Sequence, residues 1–305
     1  MTAIKTHNLT KTFGRGKESV HALKDINLEV PTGKVFGFLG PNGAGKTTTI
    51  RVLMNLVHPT YGQAYIFGED VQGDSRVFKK VGAMVENPAF YGYMNGRDNL
   101  AVLARTAGMF DLERIDGLLE EVGLGRSAHR PVKGYSLGMK QRLGIAAALL
   151  SSPELVLLDE PTNGLDPAGI QEMRRFIRGL AENEGKTVFI CSHLLYEVEQ
   201  VCDQVAIINK GEIIQQGTVN ELLDGEHADL RLLVTPRQRA YDLLAGKYHL
   251  EMKNDWMTTS LPPDEVPVLV EFLVSNGIEI HQVIQKQQSL EEYFMTVTQE
   301  DGGND

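Results

Sequence analysis

The octapeptide GPNGAGKT, Gly40 to Thr47, limits what this chain can fold into more than any other stretch. It fits the spacing G-x-x-x-x-G-K-[ST], a glycine-rich turn closed by a lysine and a hydroxyl. The apolar run KVFGFL leads into it. TTTIRVLMNLV leads out, with Ile50, Leu53, Met54 and Val57 on one helical face. A strand, a glycine loop and a helix in that order make a phosphate cradle. The glycines let successive backbone N–H groups converge on phosphate oxygens at the positive end of the helix dipole. Lys46 brings a point charge to the β- and γ-phosphates, and the Thr47 hydroxyl can ligate Mg2+. The helix is expected to run from this loop to Pro59.

The rest of the chain frames the cradle. From Leu155 onward, short apolar strands alternate with helices: LVLLDE, AGIQEMRRFIRGLAEN, TVFICS, LLYEVEQVC, then the hairpin QVAIINKGEIIQQG. That alternation indicates a largely parallel sheet covered on both faces. AIKTHNLTKTF and VHALKDINLEV read as strands separated by GRGKES. Residues 95–150 are mostly helical and interrupt the alternation. After about Gly225 the pattern becomes β-α-β-β-α-β-α and ends in SLEEYF, with Ser289 and Glu292 spaced as a capping box. The expected fold is an α/β P-loop NTPase. Residues 1–224 form a parallel-sheet core with an antiparallel β subdomain and a helical subdomain, and residues 225–305 form a small α+β C-terminal domain.

Two further stretches carry chemistry. In LVLLDEP, four apolar residues bury a strand and two acids stand at its C-terminal end, where ligands sit in open α/β sheets. Asp159 is placed to hold Mg2+ through its water shell, and Glu160 to polarise an attacking water. In YSLGMKQRLG, Ser136 and Gly138 open a helix, so a hydroxyl and free amides form a second anion site. A serine there, taken alone, is more often a simple helix cap.

The formal net charge of −10 argues against a protein that coats duplex nucleic acid, because neutralising phosphates needs clustered Lys and Arg. Cys191 and Cys202 form neither a disulfide framework nor a Cys/His metal spacing, and read as buried small hydrophobes. The N-terminal residues lack a signal-peptide pattern, and no run approaches the ~20 apolar residues that span a bilayer. Action at a membrane would need a partner that supplies the spanning helices.

Taken in order, these motifs resemble the nucleotide-binding subunit of an ATP-binding cassette (ABC) transporter over roughly residues 3–222. The Walker A loop is Gly40, Pro41, Asn42, Gly43, Ala44, Gly45, Lys46, Thr47 and Thr48. YSLGM stands where the family commonly has LSGGQ. The Walker B strand ends in Asp159 and Glu160, NGLD (Asn163 to Asp166) is similar to the D-loop, and His193 to the switch histidine. The resemblance implies an Mg2+-dependent ATPase. Two subunits meet head to tail as a homodimer, each ATP lying between the Walker A loop of one and the signature of the other. Glu160 would be the general base, with His193 on the γ-phosphate and Ser136, Gly138 and Asp166 at the nucleotide. Phe13 falls where the family stacks an aromatic on adenine; read alone, it is as readily a core residue. A separate transmembrane permease, a place on the cytoplasmic side of the cell membrane and no nucleic-acid partner are implied too. The tail resembles the branch that exports daunorubicin-type drugs, bacitracin or lantibiotics. The alternative is a soluble ABC-type ATPase acting on ribosomes or DNA, although a second cassette, long coiled coils and basic arms are not visible.

VGAMVENPAFYGYM, Val81 to Met94, departs from the family pattern. The family usually ends this strand on Gln, whose amide reaches Mg2+ and the attacking water; this chain has Glu86. The departure resembles the bacitracin and lantibiotic branch and implies that Glu86 contacts the metal or its water, a solvated loop acid being the other reading. The large side chains after it form an exposed apolar cluster of the kind that marks an interface. The resemblance implies that Phe90, Tyr91 and Met94 help line a groove for the permease, core packing being the other reading for each.

Overall fold

The computed structural model describes residues 1–73, 75–86, 89–223, 228–262, 264–286 and 289–300. The chain divides into two compact units, one reaching Gly217 and the other starting at Thr218. The boundary expected at 224/225 falls on residues outside the described ones.

In the first unit β1 (Thr2–Phe13), β2 (Val20–Ile26) and β3 (Glu29–Pro31) precede the short strand β4 (Val35–Leu39), which feeds the glycine loop and α1 (Lys46–Leu53). β5 (Tyr61–Ile66), β6 (Glu69–Asp70) and β7 (Val81–Met84) follow. The helical insert holds α2 (Gly96–Thr106), α3 (Leu112–Glu121) and α4 (Leu137–Ala148). The alternation then resumes with β8 (Leu155–Asp159), α5 (Pro167–Glu182), β9 (Thr187–Ser192), α6 (Leu195–Glu199), β10 (Gln204–Asn209) and β11 (Glu212–Thr218).

Two sheets result. β1 pairs antiparallel with β2, β3 and β5, making the antiparallel subdomain. The other has the order β11-β10-β4-β9-β8-β7, and β10, β4, β9, β8 and β7 run parallel. Every residue of β4, β8 and β9 is buried, as the near-continuous apolar runs of a sheet covered on both faces require. Phe189 stacks on Phe36 at 5.8 Å between ring centroids and lies 5.6 Å from Phe38. Burying each such ring contributes about 1.5–3 kcal/mol, which fixes the strand ends that carry the site.

The structure departs from the sequence reading in two places. VHALKDINLEV is two strands. Asp25 adopts φ 49°, and the buried Thr6 hydroxyl fills the break, donating to Ile26 O at 2.7 Å and accepting from Leu28 N at 2.9 Å. The helix after the glycine loop stops at Leu53, well short of Pro59. Asn55 turns left-handed at φ 53°; Leu56 N bonds Arg51 O at 2.8 Å and Asn55 N bonds Val52 O at 2.9 Å. That is a Schellman ending with Asn in the position glycine usually fills.

In the insert, Asn95, Asp111 and Ser136 cap the three helices by accepting backbone N–H groups. Asn99, buried on α2, accepts from Tyr91 N and donates to Tyr91 O, Met94 O and Asn95 O, so it pins the loop that follows β7.

The second unit contains α7 (Val219–Leu223), β12 (Ala228–Thr235), α8 (Arg237–Leu244), β13 (Leu250–Lys253), β14 (Trp256–Leu261), α9 (Glu265–Ser275), β15 (Glu279–Lys286) and α10 (Leu290–Glu300). Its sheet order is β13-β14-β12-β15, antiparallel throughout, a ferredoxin-like β-α-β-β-α-β arrangement. Leu230, Leu232 and Met257 pack against Ala240, Leu244, Leu269 and Leu273 of α8 and α9. The expected capping box is present: Glu292 N donates to Ser289 Oγ at 3.2 Å, and Ser289 N to Glu292 Oε2 at 3.3 Å. Among the described residues, no helix is long and apolar enough to cross a membrane.

Candidate nucleotide site

The parallel sheet delivers three strand ends to one edge: β4 with the glycine loop, β8 with two acids, β9 with a histidine. The loop backbone is forced by its neighbours. A Cβ on Gly40 would lie 2.1 Å from Ile208 O, so nothing but glycine fits between the loop and β10. Gly45 caps α1 at φ 117°, a conformation that L side chains rarely adopt. Gly43, at φ 81°, faces open space. Pro41, Asn42 and Gly43 are exposed and Ala44 is buried, while Thr48 is half-buried in the first turn of α1.

Lys46 turns back into its own loop. It is only 6% exposed, and its Nζ donates to Gly40 O at 2.7 Å and Pro41 O at 3.2 Å. Its third neighbour is Glu160 Oε1 at 3.6 Å. Glu160 Oε2 lies 2.9 Å from His193 Nδ1. Glu160 holds φ 49°, a strained setting for a non-glycine residue, fixed by its N–H donating to Cys191 O at 2.9 Å. Lys46, Glu160 and His193 thus form one connected chain of charge and hydrogen bonds.

Thr47 Oγ1 donates to Asp159 Oδ2 at 2.8 Å. Asp159 is 5% exposed, and its Oδ1 is buried without a hydrogen-bond partner among the described residues. Burial pushes its carboxyl above the ordinary aspartate range, opposed by the Thr47 hydrogen bond and assisted by the Glu160 charge. A buried carboxylate oxygen without a donor, beside a hydroxyl, fits a divalent cation that draws its remaining oxygens from phosphate and water. Among the described residues no group of three or more His, Cys, Asp or Glu surrounds a metal position.

The remaining expected residues lie apart from this cluster. Ser136 caps α4, its exposed hydroxyl accepting from Met139 N at 3.2 Å, and Gly138 is half-buried one residue into the helix. Asp166 caps α5, accepting from Gly169 N at 2.9 Å, and is exposed. Phe13 is 41% exposed, with Lys11 Nζ 4.9 Å from its ring centroid. Glu86, exposed and at φ 61°, pairs with Arg51 on α1. Its charge is one of those that raise the Asp159 carboxyl. Asn87 and Pro88 of the same loop lie outside the described residues.

The sequence reading missed Arg51. It stands four residues after Thr47 on the same helical face, but its partner Glu86 is 35 positions away, beyond the reach of local spacing. For the apolar groove expected on the loop after β7 and the helix that follows, the sequence reading named Phe90, Tyr91 and Met94, of which Phe90 is in the observed lining and Tyr91 and Met94 are not. Phe90 lines that groove together with Val85, Leu103, Ala107, Met109 and Ala148. Tyr91 and Tyr93 are exposed, their rings 5.9 Å apart, and Met94 is half-buried.

Comparison with known proteins agrees with this geometry. The ABC transporter family model matches residues 23–163. The bacitracin transport ATP-binding protein BcrA of Bacillus licheniformis is 41% identical over 96% of this chain and 96% of its own length. The lantibiotic transport ATP-binding protein SrtF of Streptococcus pyogenes is 44% identical over 69% of this chain and 89% of its own. Among solved structures, a dimeric ATP-binding cassette in a post-hydrolysis state, bound to ADP and Pi, gives a TM-score of 0.65 at 25% identity, covering 71% of this chain and 98% of that one. Fold and site define a P-loop ATPase built as a nucleotide-binding cassette. The chain belongs to the ATP-binding proteins of the ABC transporter family.

Proposed function

We propose that this chain is the ATP-hydrolysing subunit of an exporter of a drug, antibiotic or antimicrobial peptide. It works as a homodimer beneath a separate membrane permease on the cytoplasmic face. The observation that carries the reading is the connected set Lys46–Glu160–His193 beside the Thr47–Asp159 pair.

When ATP enters, Lys46 exchanges its contacts with loop carbonyls for the β- and γ-phosphate oxygens, joined by the loop amides. Thr47 and Asp159 would hold Mg2+, which would supply positive charge to neutralise the phosphate. Glu160 accepts the proton of the attacking water. His193, oriented through Nδ1 by Glu160, presents Nε2 toward the γ-phosphate. Phe13 offers its exposed ring to the adenine. Ser136 and Asp166, both exposed, and the Gly138 amide serve the nucleotide of a second subunit, so each chain needs another to close its site. Relatives named for bacitracin and lantibiotic transport support the cargo class. The apolar groove at Phe90, Leu103 and Met109 is the surface on which a cytoplasmic segment of the permease would rest.

Glu160→Gln tests the reading. The substitution keeps shape and removes the base. ATPase activity is expected to fall about 10²- to 10³-fold, and the protein should shift from monomer to dimer on gel filtration when ATP is added. A variant that stays monomeric with saturating ATP sinks the head-to-tail arrangement. Co-purification with a multi-span membrane protein tests the transport role.

A further inference from the structure

Leu137 stands at the first position of α4, next to the cap Ser136, where the commoner LSGGQ pattern has glycine. It is a large apolar side chain left 47% exposed. One flank rests on the backbone of the loop from Asn163 to Asp166. A Cβ built on Gly164 would lie 2.2 Å from Leu137 Cδ2 and 3.5 Å from its Cγ. The next residue makes the reciprocal approach, since a Cβ on Gly138 would lie 2.9 Å from Leu165 Cδ2. Gly164 is doubly constrained: it holds φ 74°, and its hydrogen faces the leucine methyl. Further along α4, Arg142 pairs with Glu172 of α5 and donates to Val122 O at 3.0 Å. The helix that opens with Ser136 and the segment that runs from Gly164 into α5 are therefore fastened at both ends of a shared face.

We propose that Leu137 is a positioning residue. Its side chain latches the start of α4, with Ser136, to the loop at Gly164, with Asp166. The two then meet the nucleotide of a second subunit as one rigid surface. The proposal rests on the head-to-tail reading above. An exposed serine and an exposed aspartate on separate segments would otherwise be placed independently. Transition-state contacts are lost when a group shifts by about 1 Å. Glycine at position 137 offers no side chain to set that spacing, whereas leucine builds it into the chain itself.

Steady-state ATPase measurements on the full chain test the latch. Leu137→Gly is expected to lower kcat about tenfold while the KM for ATP stays within about twofold, because the loop that binds nucleotide in the single chain is untouched. Leu137→Met should recover most of the loss, which a merely solvent-facing position would not show. Gly164→Ala brings a methyl into the space of the leucine. It should cost about tenfold in the native background and about threefold or less when combined with Leu137→Gly, a coupling that independent sites do not give. Native kcat in Leu137→Gly, or an equal Gly164→Ala cost in both backgrounds, overturns the latch. Gel filtration of Glu160→Gln with ATP separates the two levels. If that protein does not dimerise, the head-to-tail reading fails and takes the latch with it. If it dimerises while Leu137→Gly keeps native kcat, the latch alone fails. Should circular dichroism show Leu137→Gly unfolded, Leu137→Ala carries the same comparison.

Discussion

The two halves of the proposed nucleotide site are built on opposite plans. Around the glycine loop, Lys46 and Asp159 are almost fully buried; the Lys46 ammonium is engaged with Gly40, Pro41 and Glu160, and Asp159 Oδ2 with Thr47, while its Oδ1 has no hydrogen-bond partner among the described residues. Around α4 and α5, Ser136 and Asp166 are exposed and satisfy only the backbone of their own helix starts. The first half is anchored by strands buried on both faces, so its charges are held at defined distances in a low-dielectric setting. The second half sits on helix caps at the surface. On the proposed head-to-tail arrangement the difference would separate tasks: one half would bind phosphate within a single chain, and the other, facing outward, would act only when another chain brings it a nucleotide.

Lys46→Ala tests the first half and should have the largest effect. It removes the ammonium beside the loop carbonyls and leaves Glu160 without its cation. Affinity for a fluorescent ATP analogue is expected to fall about 100-fold, roughly 2.7 kcal/mol, in line with a charge-assisted contact to phosphate. If affinity falls less than about threefold, the buried half is not where the single chain binds phosphate.

Ser136→Ala tests the second half, with a smaller expected effect of another kind. The helix loses its cap, about 1 kcal/mol, a few degrees in Tm. Binding of the analogue to the single chain should stay within about twofold, while kcat falls about tenfold because a hydroxyl facing the opposite nucleotide is gone. A parallel loss of single-chain binding would mean that the two halves are not divided between chains.

How much of this was readable in the sequence follows the same division. The buried half was legible residue by residue, because a strand, a glycine turn and a helix leave few arrangements for Lys46 and Thr47. Asp159 and Glu160 were legible as acids closing an apolar strand. The Glu160–His193 contact joins residues 33 positions apart. Local pattern could not supply it; the resemblance pointed to both residues at the nucleotide but not to the contact between them. In the exposed half Ser136 was legible as a cap and Asp166 only through the resemblance, but the packing of Leu137 on Gly164 was not legible, since that contact depends on a backbone turn with φ 74° and on no periodicity. The early end of α1 was hidden for a related reason: apolar Met54 and Val57 continue the helical stripe past the point where Asn55 reverses the backbone. The apolar groove was half legible. Phe90 announced it, while Leu103 and Met109 looked like ordinary positions on and after an amphipathic helix.

Glu86 stands beside the buried half, paired with Arg51 of α1, and its substitution should give the smallest effect. The carboxylate reaches Arg51, and both side chains are substantially exposed, 59% and 40%. An ion pair in that setting contributes about 0–1 kcal/mol, so Glu86→Gln should leave the melting temperature nearly unchanged. Its charge nevertheless acts on Asp159, whose carboxyl it pushes up. Removing that charge should make Asp159 slightly easier to ionise but lower the local negative potential that attracts a divalent cation. The two consequences oppose each other, so the expected change in kcat is no more than about threefold, with the Mg2+ concentration for half-maximal rate rising by about twofold. Arg51→Ala frees the carboxylate instead of neutralising it and should move the Mg2+ midpoint the other way. Equal midpoints in the native protein and both variants would show that this loop acid neither senses nor serves the cation, and that Glu86 does no more than tie its loop to α1.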